Sequence, residues 1–505
     1  GLEADHKELV FAAGLEGVDA DSQLKVEELI LNCLKNVVSN GISKELIQSS
    51  LHQLEIKQRE ITGSGMPYGL QIMLSCLPAC LHNDDPLKVL DLDSSFDVIK
   101  DNLNKENYIE KLIEEKIINN SHRVNYCLAP DIEFNSKNEK IIKEKIDEKS
   151  KNLSFEDKER IIELTKDLKL RQEKSDNPEI LPKVTKEDIP KIRNYAKSES
   201  FKNDNKNFFY KVGTNGITYH SIILPCSPLT EDEFKVASLF ANTLTDVGIG
   251  DKSYEEVQKI QSAVTGGISA SFTLIPNENQ SSHSLGLKIT SKSLEEKEIE
   301  MQNLMIETAK DSNFSDKNRI KDMLNFISSD NEKSLIQNGH ILSMSNAGAQ
   351  INNISATSDF ASGLNFITNT SKLSKNIDKN SELELYIELL NSIKNKINPI
   401  PSYSFTASSL DLEQSKINFE FDNKNNSFSI QNYFDIQQKS VGWITGAQVT
   451  YCAEAFPTVD FFHKDSPALS VLGAVLRNGY LHSAIREKGG AYGSGAMQDS
   501  NNKVF

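Results

Sequence analysis

The stretch that most limits what this chain can become is Leu481–Ala496, LHSAIREKGGAYGSGA. Leu481, Ala484 and Ile485 stand at i, i+3 and i+4, the spacing of one apolar helix side. Arg486, Glu487 and Lys488 end that helix in charge, and Gly489 and Gly490 stop it. Ala491, Tyr492, Gly493 and Gly495 follow, so the helix is expected to break into a glycine-rich strand that other backbone can approach closely. Arg486 and Tyr492 sit six positions apart across the turn, one a planar cationic fork and the other a phenol donor. Two donors converging on one point suit a peptide carbonyl on its way to an oxyanion. The same spacing also suits a plainer outcome, with Arg486 paired to a neighbouring carboxylate and Tyr492 packed as a strand aromatic. A phosphate loop fits less well, because no Gly-Lys-Ser/Thr follows these glycines.

The rest of the 505 residues offers room for about three or four domains. A net charge of −16 argues against nucleic acid as a partner, since a phosphate backbone would be repelled. It favours basic peptides, although surface solvation explains the same charge. Six scattered cysteines make no disulfide framework and point to a reducing compartment, and Cys76 with Cys80 reads as a pair of small core residues. The apolar run from Tyr68 to Leu81 is short and holds Pro78, so no membrane span is expected.

Taken in order, residues 9–18 read as a strand. Asp21 is placed to cap a helix with Val26, Leu29, Ile30, Cys33, Leu34 and Val37 on one side, stopped by Gly41. A second helix runs from about Ser43 to Glu60 with Leu46, Ile47, Leu51 and Leu54 inward, until GSGMPYG breaks it. More helix follows to about Asp101. Val124, Tyr126 and Leu128 alternate as a strand, closing an α+β domain over 1–131. Residues 132–200 become charged, with sparse Ile pairs and a Ser154/Asp157 capping box. They read as a helical hairpin linker, or else as a disordered spacer. A further α+β domain spans 201–436: strand ITYHSIIL, a helix capped by Thr230 with Phe234, Ala237, Ala241 and Leu244 inward, a break at Gly266-Gly267, then strands ISASFTLI and LGLKIT. Helices follow through about 340, and the NAGAQ and ASGLNF stretches keep small residues for tight packing. The polar stretch 401–436 reads as two or three short strands. VGWITGAQVTYCAEA opens a strand of a last domain, 437–505, ahead of the 466–487 helix.

A zinc hydrolase needs two histidines at helical spacing and a carboxylate base. Among nine histidines only His52-Gln53-Leu54-Glu55 begins such a motif, and Ile56 fills the second ligand position, so this reads as plain helix surface.

The run IREKGGAYGSGA resembles the Arg/Tyr signature in the C-terminal half of pitrilysin-type zinc peptidases, and within them the presequence protease branch. The stretches at 51–86, 121–131, 181–190 and 253–271 are similar to the same branch, so the resemblance touches nearly the whole chain. It implies repeated pitrilysin-type sandwich domains, each an antiparallel sheet with helices, joined by the helical hairpin. By position it implies that Arg486 and Tyr492 bind the substrate carbonyl across from the zinc. The glycines Gly489, Gly490 and Gly493 would leave a strand edge open to substrate backbone, although turn geometry alone explains them as well. The family's His-x-x-Glu-His is missing. The helix over 234–247 holds no His and no Glu, so the third domain is expected to be a catalytically inactive copy. The resemblance therefore places zinc in the full-length enzyme, on an N-terminal zinc-bearing domain of the same chain, and no cofactor in this piece. It implies a zinc metalloendopeptidase that takes unfolded peptides into a closed chamber, in a cytoplasm or organelle matrix, with this piece alone inactive. The alternative is a non-catalytic scaffold or peptide-binding subunit of the same fold.

Overall fold

In a computed structural model the described residues are all of 1–505 except 4–5, 62–64, 174–176, 181, 184, 193–194, 201–205, 277–281, 418, 423–426 and 429–433. The expected GSGMPYG break, the 181–190 segment and the second half of the 401–436 region fall partly outside them. The fold is α+β, and the chain divides into two compact units. One comprises Gly1–Ile42, Leu74–Leu90 and Asp97–Ala196; the other comprises Ser43–Met73, Asp91–Phe96 and Lys197–Phe505.

In chain order, β1 (Leu2–Glu3) and β2 (Val10–Phe11) pair antiparallel, so only two residues of the 9–18 strand find a partner. α1 (Gln23–Asn40) ends as expected at Gly41, whose N–H donates to Val37 O at 2.9 Å with φ at +75°. Asp21 does not cap it; it lies inside a preceding 3-10 turn, and Ser22 holds the cap position without a side-chain bond. α2 (Lys44–Arg59) is capped by the Ser43 hydroxyl, which accepts from Leu46 N–H. After α3 (Tyr68–Leu81), α4 (Leu87–Leu90) and α5 (Leu92–Leu103), α6 (Tyr108–Ile113) brings Glu110 to accept from Ile42 N–H at 3.1 Å. Cys76 and Cys80 are not core residues: Cys80 is exposed and Cys76 half-buried, on a helix without a buried residue.

The strand expected at Val124, Tyr126 and Leu128 is absent. All three side chains are exposed and their backbone joins no ladder. Alternation supports a strand only where a sheet exists to join. Asn125 instead donates to Glu27 on α1 at 2.6 Å. α7 (Phe134–Lys151) and α8 (Phe155–Glu173) form the two expected helices. The Ser154/Asp157 box joins them, with Asp157 N–H donating to the Ser154 hydroxyl at 3.0 Å.

The second unit is built on one mixed sheet. β3 is Asn207–Lys211, β4 Ile217–Cys226, β5 Gly248–Ile249, β6 Ile268–Pro276, β7 His283–Leu294, β8 Ser312–Asn313, β9 Tyr403–Ser408 and β10 Ser427–Phe428. β6, β7, β4, β9 and β3 lie side by side, and β10 extends the row at the start of β7. β4 pairs antiparallel with β7 from Ile217↔Leu294 to Cys226↔Leu285, whereas β3 and β9 run parallel. The β-branched run of β4 suits a pleated, covered position. Ile222, Leu224 and Cys226 of β4 join Leu285, Leu287 and Ile289 of β7 in the main core.

α9 (Glu231–Leu244) covers that face, with Phe234, Ala237, Ala241 and Leu244 buried as the spacing predicts. Its Thr230/Glu233 capping box closes with Thr230 N–H donating to Glu233 Oε2 at 2.6 Å. Glu233 also accepts from Lys396 and Ser392, each at 2.6 Å. Burial alone would raise its carboxyl pKa, but these donors outweigh burial and lower it. α10 (Tyr254–Val264), α11 (Glu298–Asp311), α12 (Lys317–Ala349), α13 (Asn353–Ser362), α14 (Leu364–Asn376) and α15 (Asn380–Asn395) complete the layer, so helix continues well past the expected end near 340. The small residues there do permit close packing. The Tyr451 ring lies against Gly339, and the Asp359 carboxylate stands where a Cβ on Gly363 would sit.

α2 packs within this unit through Ile56, which is 2% exposed and clusters with Ile217 and Leu294. The predicted inward residues Leu46 and Leu54 point to solvent instead. Several of the helix's sides carry apolar residues, and the neighbouring α10 selects the one that is buried.

Candidate functional site

α16 (Ser466–Leu476) carries Pro467 in its first turn, where a missing N–H is no loss. It continues without a break into wider i→i+5 turns over Arg477–Lys488. Such turns are uncommon and occur often at functional sites. The helix stops at the predicted glycines. Gly490 takes φ +73°, its N–H donates to Arg486 O at 3.1 Å, and Ala491 N–H donates to Ile485 O at 3.1 Å. Gly489 is required for a different reason: a Cβ there would lie 2.6 Å from Ile485 O. Gly493 has open space around it, so this backbone does not demand a glycine at that position.

The expected glycine-rich strand does not form. Residues 491–497 join no ladder, and Tyr492 is 94% exposed. The cause is local: Gly493 and Gly495 present no side chains to a neighbouring strand, and no described strand runs alongside. The segment is instead a loop fixed at both ends. The glycine stop holds its start. At its far end Ala496 lies against α16, where a Cβ on Gly473 would stand 3.1 Å from Ala496 O. Beyond it, Thr458 and Gln498 exchange hydrogen bonds, and Phe456 and Phe505 exchange backbone bonds at 2.9 Å. Asn502 O accepts from Asn352 Nδ2 at 2.9 Å and from the Ser355 hydroxyl at 3.1 Å, pinning the tail to the start of α13.

Arg486 and Tyr492 both lie exposed on this fixed loop and its helix end. Among the described residues neither side chain makes a hydrogen bond or ion pair, so the alternative of an Arg486–carboxylate pair is not realised. The nearby Glu487 carboxylate faces His482 instead, at 3.4 Å. The strand expected over VGWITGAQVTYCAEA is also absent. That stretch runs without a ladder, tied by Trp443 Nε1 donating to Asn346 at 3.1 Å and Tyr451 Oη donating to Ile336 O at 3.1 Å.

The His52 motif is not open helix surface. His52 Nε2 is buried without a hydrogen-bond partner, and burial lowers the ring's pKa against a backbone bond at Val264. Gln53 donates to Ser262 O and Thr265 O, both at 2.6 Å, and so caps the end of α10. Glu55 pairs with Arg59 at 2.9 Å. Ile56 stands where a second ligand would be needed, under Gly266. Among the described residues no three His, Cys, Asp or Glu side chains are grouped to hold a metal, so these residues do not fit a catalytic zinc. Glu233 belongs to the acidic first turn of α9, and the Thr-x-x-Glu spacing marks it as the partner of the Thr230 cap.

Residues 128–373 match the family described as Peptidase M16 (subfamily C) associated, a span that begins before the helical hairpin and ends within α14. The mitochondrial presequence protease of Yarrowia lipolytica is 27% identical, over 100% of this chain and 52% of that protein. The chain resembles the pitrilysin-type presequence proteases along its whole length. Presequence protease 1, chloroplastic/mitochondrial, of Arabidopsis thaliana is 25% identical over 100% of this chain and 48% of its own length. Protein HypA of Clostridium perfringens is 27% identical over 96% and 51%. The chain thus spans about half the length of the curated presequence protease relatives it matches. No described helix is long and apolar enough to cross a membrane.

Proposed function

We propose that this chain is the portion of a zinc metalloendopeptidase that grips the substrate carbonyl, in an enzyme that degrades unfolded peptides within a closed chamber. The observation that carries the reading is a pair of donors, Arg486 and Tyr492, left unengaged on a loop fixed at both ends. A donor with no protein partner gives up only water when it turns to a substrate carbonyl, and its interaction can grow with the charge on that oxygen. The guanidinium would hold the developing negative charge and the phenol would donate the second bond. Gly489, Gly490 and Gly493 would leave backbone free to pair with the peptide. Zinc supplies Lewis-acid polarisation when bound, and its ligands would belong to the N-terminal zinc-bearing domain. The four segments 1–131, 132–200, 201–436 and 437–505 would be the second domain, the linker, the inactive third domain and the start of the fourth. The mitochondrial and chloroplastic names among the relatives support an organelle, with a cytoplasm as the second reading.

The test is kinetic and uses the full-length enzyme with its metal. Arg486→Ala and Tyr492→Phe should each lower kcat by about 100-fold with a smaller change in KM. Unchanged kcat in both variants removes them from the chemistry and leaves the scaffold or peptide-binding reading.

A further inference from the structure

A surface pocket of 490 Å³ opens between α11 and the segment Pro399–Pro401, and no residue of 481–496 lines it. Ile306, Pro399, Ile400, Pro401 and Phe419 make its apolar floor. Glu307, Asp311 and Glu420 stand at its rim with a single ammonium, Lys310. Among the described residues none of these four charged side chains is taken up in an ion pair or side-chain hydrogen bond. The walls are fixed before any ligand arrives. Asp422 N–H donates to Pro401 O at 2.9 Å, Asn398 Nδ2 donates to Asp422 at 2.5 Å, and Ile400 N–H donates to Asn398 Oδ1 at 3.1 Å. Behind the floor, the Phe419 ring stacks on the buried His220 ring, centroids 5.4 Å apart.

An apolar floor under an uncompensated acidic rim fits a group with an aliphatic stem and a cationic head. Glu307 and Asp311, four apart on α11, face the same side, so one planar fork can reach both. An anionic ligand is repelled, and a wholly apolar one strips water from the carboxylates without replacing it. The volume takes one or two side chains, not a folded partner. We infer that this pocket is an accessory site for an arginine side chain of a bound peptide. The site uses neither Arg486, Tyr492 nor a metal, and so goes beyond the carbonyl-binding reading.

The test is fluorescence anisotropy on the whole chain at low salt, with a labelled Ala-Leu-Arg-Leu-Ala amide and its neutral citrulline counterpart. The arginine peptide should bind at least about tenfold more tightly than the citrulline one. Glu307→Gln combined with Glu420→Gln should erase that preference, and Lys310→Ala should increase it, with the unfolding transition unmoved in both. The two peptides carry the same backbone carbonyls, so carbonyl binding cannot produce the preference and failure here is separable from failure of the carbonyl-binding reading. Equal binding of the two peptides, an arginine preference that survives the double variant, or no saturable binding of the arginine peptide overturns the site.

Discussion

α9 and the helix that runs from Ser466 to Lys488 are both rich in apolar residues, yet the two are held on different terms. α9 is clamped by a capping box at its start and buries nine side chains, Phe240 among them. The terminal helix buries only Ser466 and Gly473, while Val471, Leu472, Val475 and Tyr480 face solvent. α9 lies over a finished sheet and its core; on the terminal helix the Ala496–Met497 backbone lies against Gly473. The difference separates two tasks. The sheet and α9 carry stability, and the exposed helix end is where the proposed carbonyl donors stand.

The sharpest way to break this contrast is truncation. Phe240→Ala, at 0% exposure, should cost about 3–5 kcal/mol by chemical denaturation. Val471→Ala should stay within about 0.5 kcal/mol. Comparable losses would mean that the terminal helix is as firmly packed as α9.

Acid should loosen the sheet rather than the loop. Burial on β4 pushes the His220 imidazole down from 6.5 to about 3. Between those values the unfolded chain holds the extra proton, so stability is complete above about pH 6.5 and falls as pH drops toward about 3. The slope should be about 1.4 kcal/mol per pH unit from this group, and His220→Leu should remove that part. Denaturation at pH 7, 6 and 5 reads it; an identical slope in the variant would show that the ring is not the source.

The smallest expected effects lie in the loop itself. Gly490→Ala, at φ +73°, should cost about 1 kcal/mol, because a Cβ is disfavoured there. Gly493→Ala should leave the melting curve where it was, since nothing lies within reach of its Cβ. If Gly493→Ala nonetheless slows peptide cleavage in the full-length enzyme, the open backbone serves substrate and not folding.

The candidate site was legible in part. The helix, its glycine stop and the exposure of charge at its end follow from adjacent residues. The strand after it did not follow, because Tyr492 and its glycines needed a neighbouring strand that residues 481–496 cannot specify. The same holds for Val124–Leu128 and for 440–456, where alternating or β-branched residues promised strands and the structure has none. It holds as well for α2, where Leu46 and Leu54 looked inward and Ile56 was chosen instead.

What the sequence settled by itself was whatever a chain can satisfy within a few residues: the Thr230 and Ser154 boxes, the stops at Gly41 and Gly490, and the helices between such marks. Tertiary structure alone decided which extended segments became strands and which helix faces were covered. A helix closes its hydrogen bonds internally, four residues apart, and so can be read from nearby side chains. A strand leaves its N–H and C=O groups for a partner that lies elsewhere in the chain, and burial is likewise granted by whatever packs alongside.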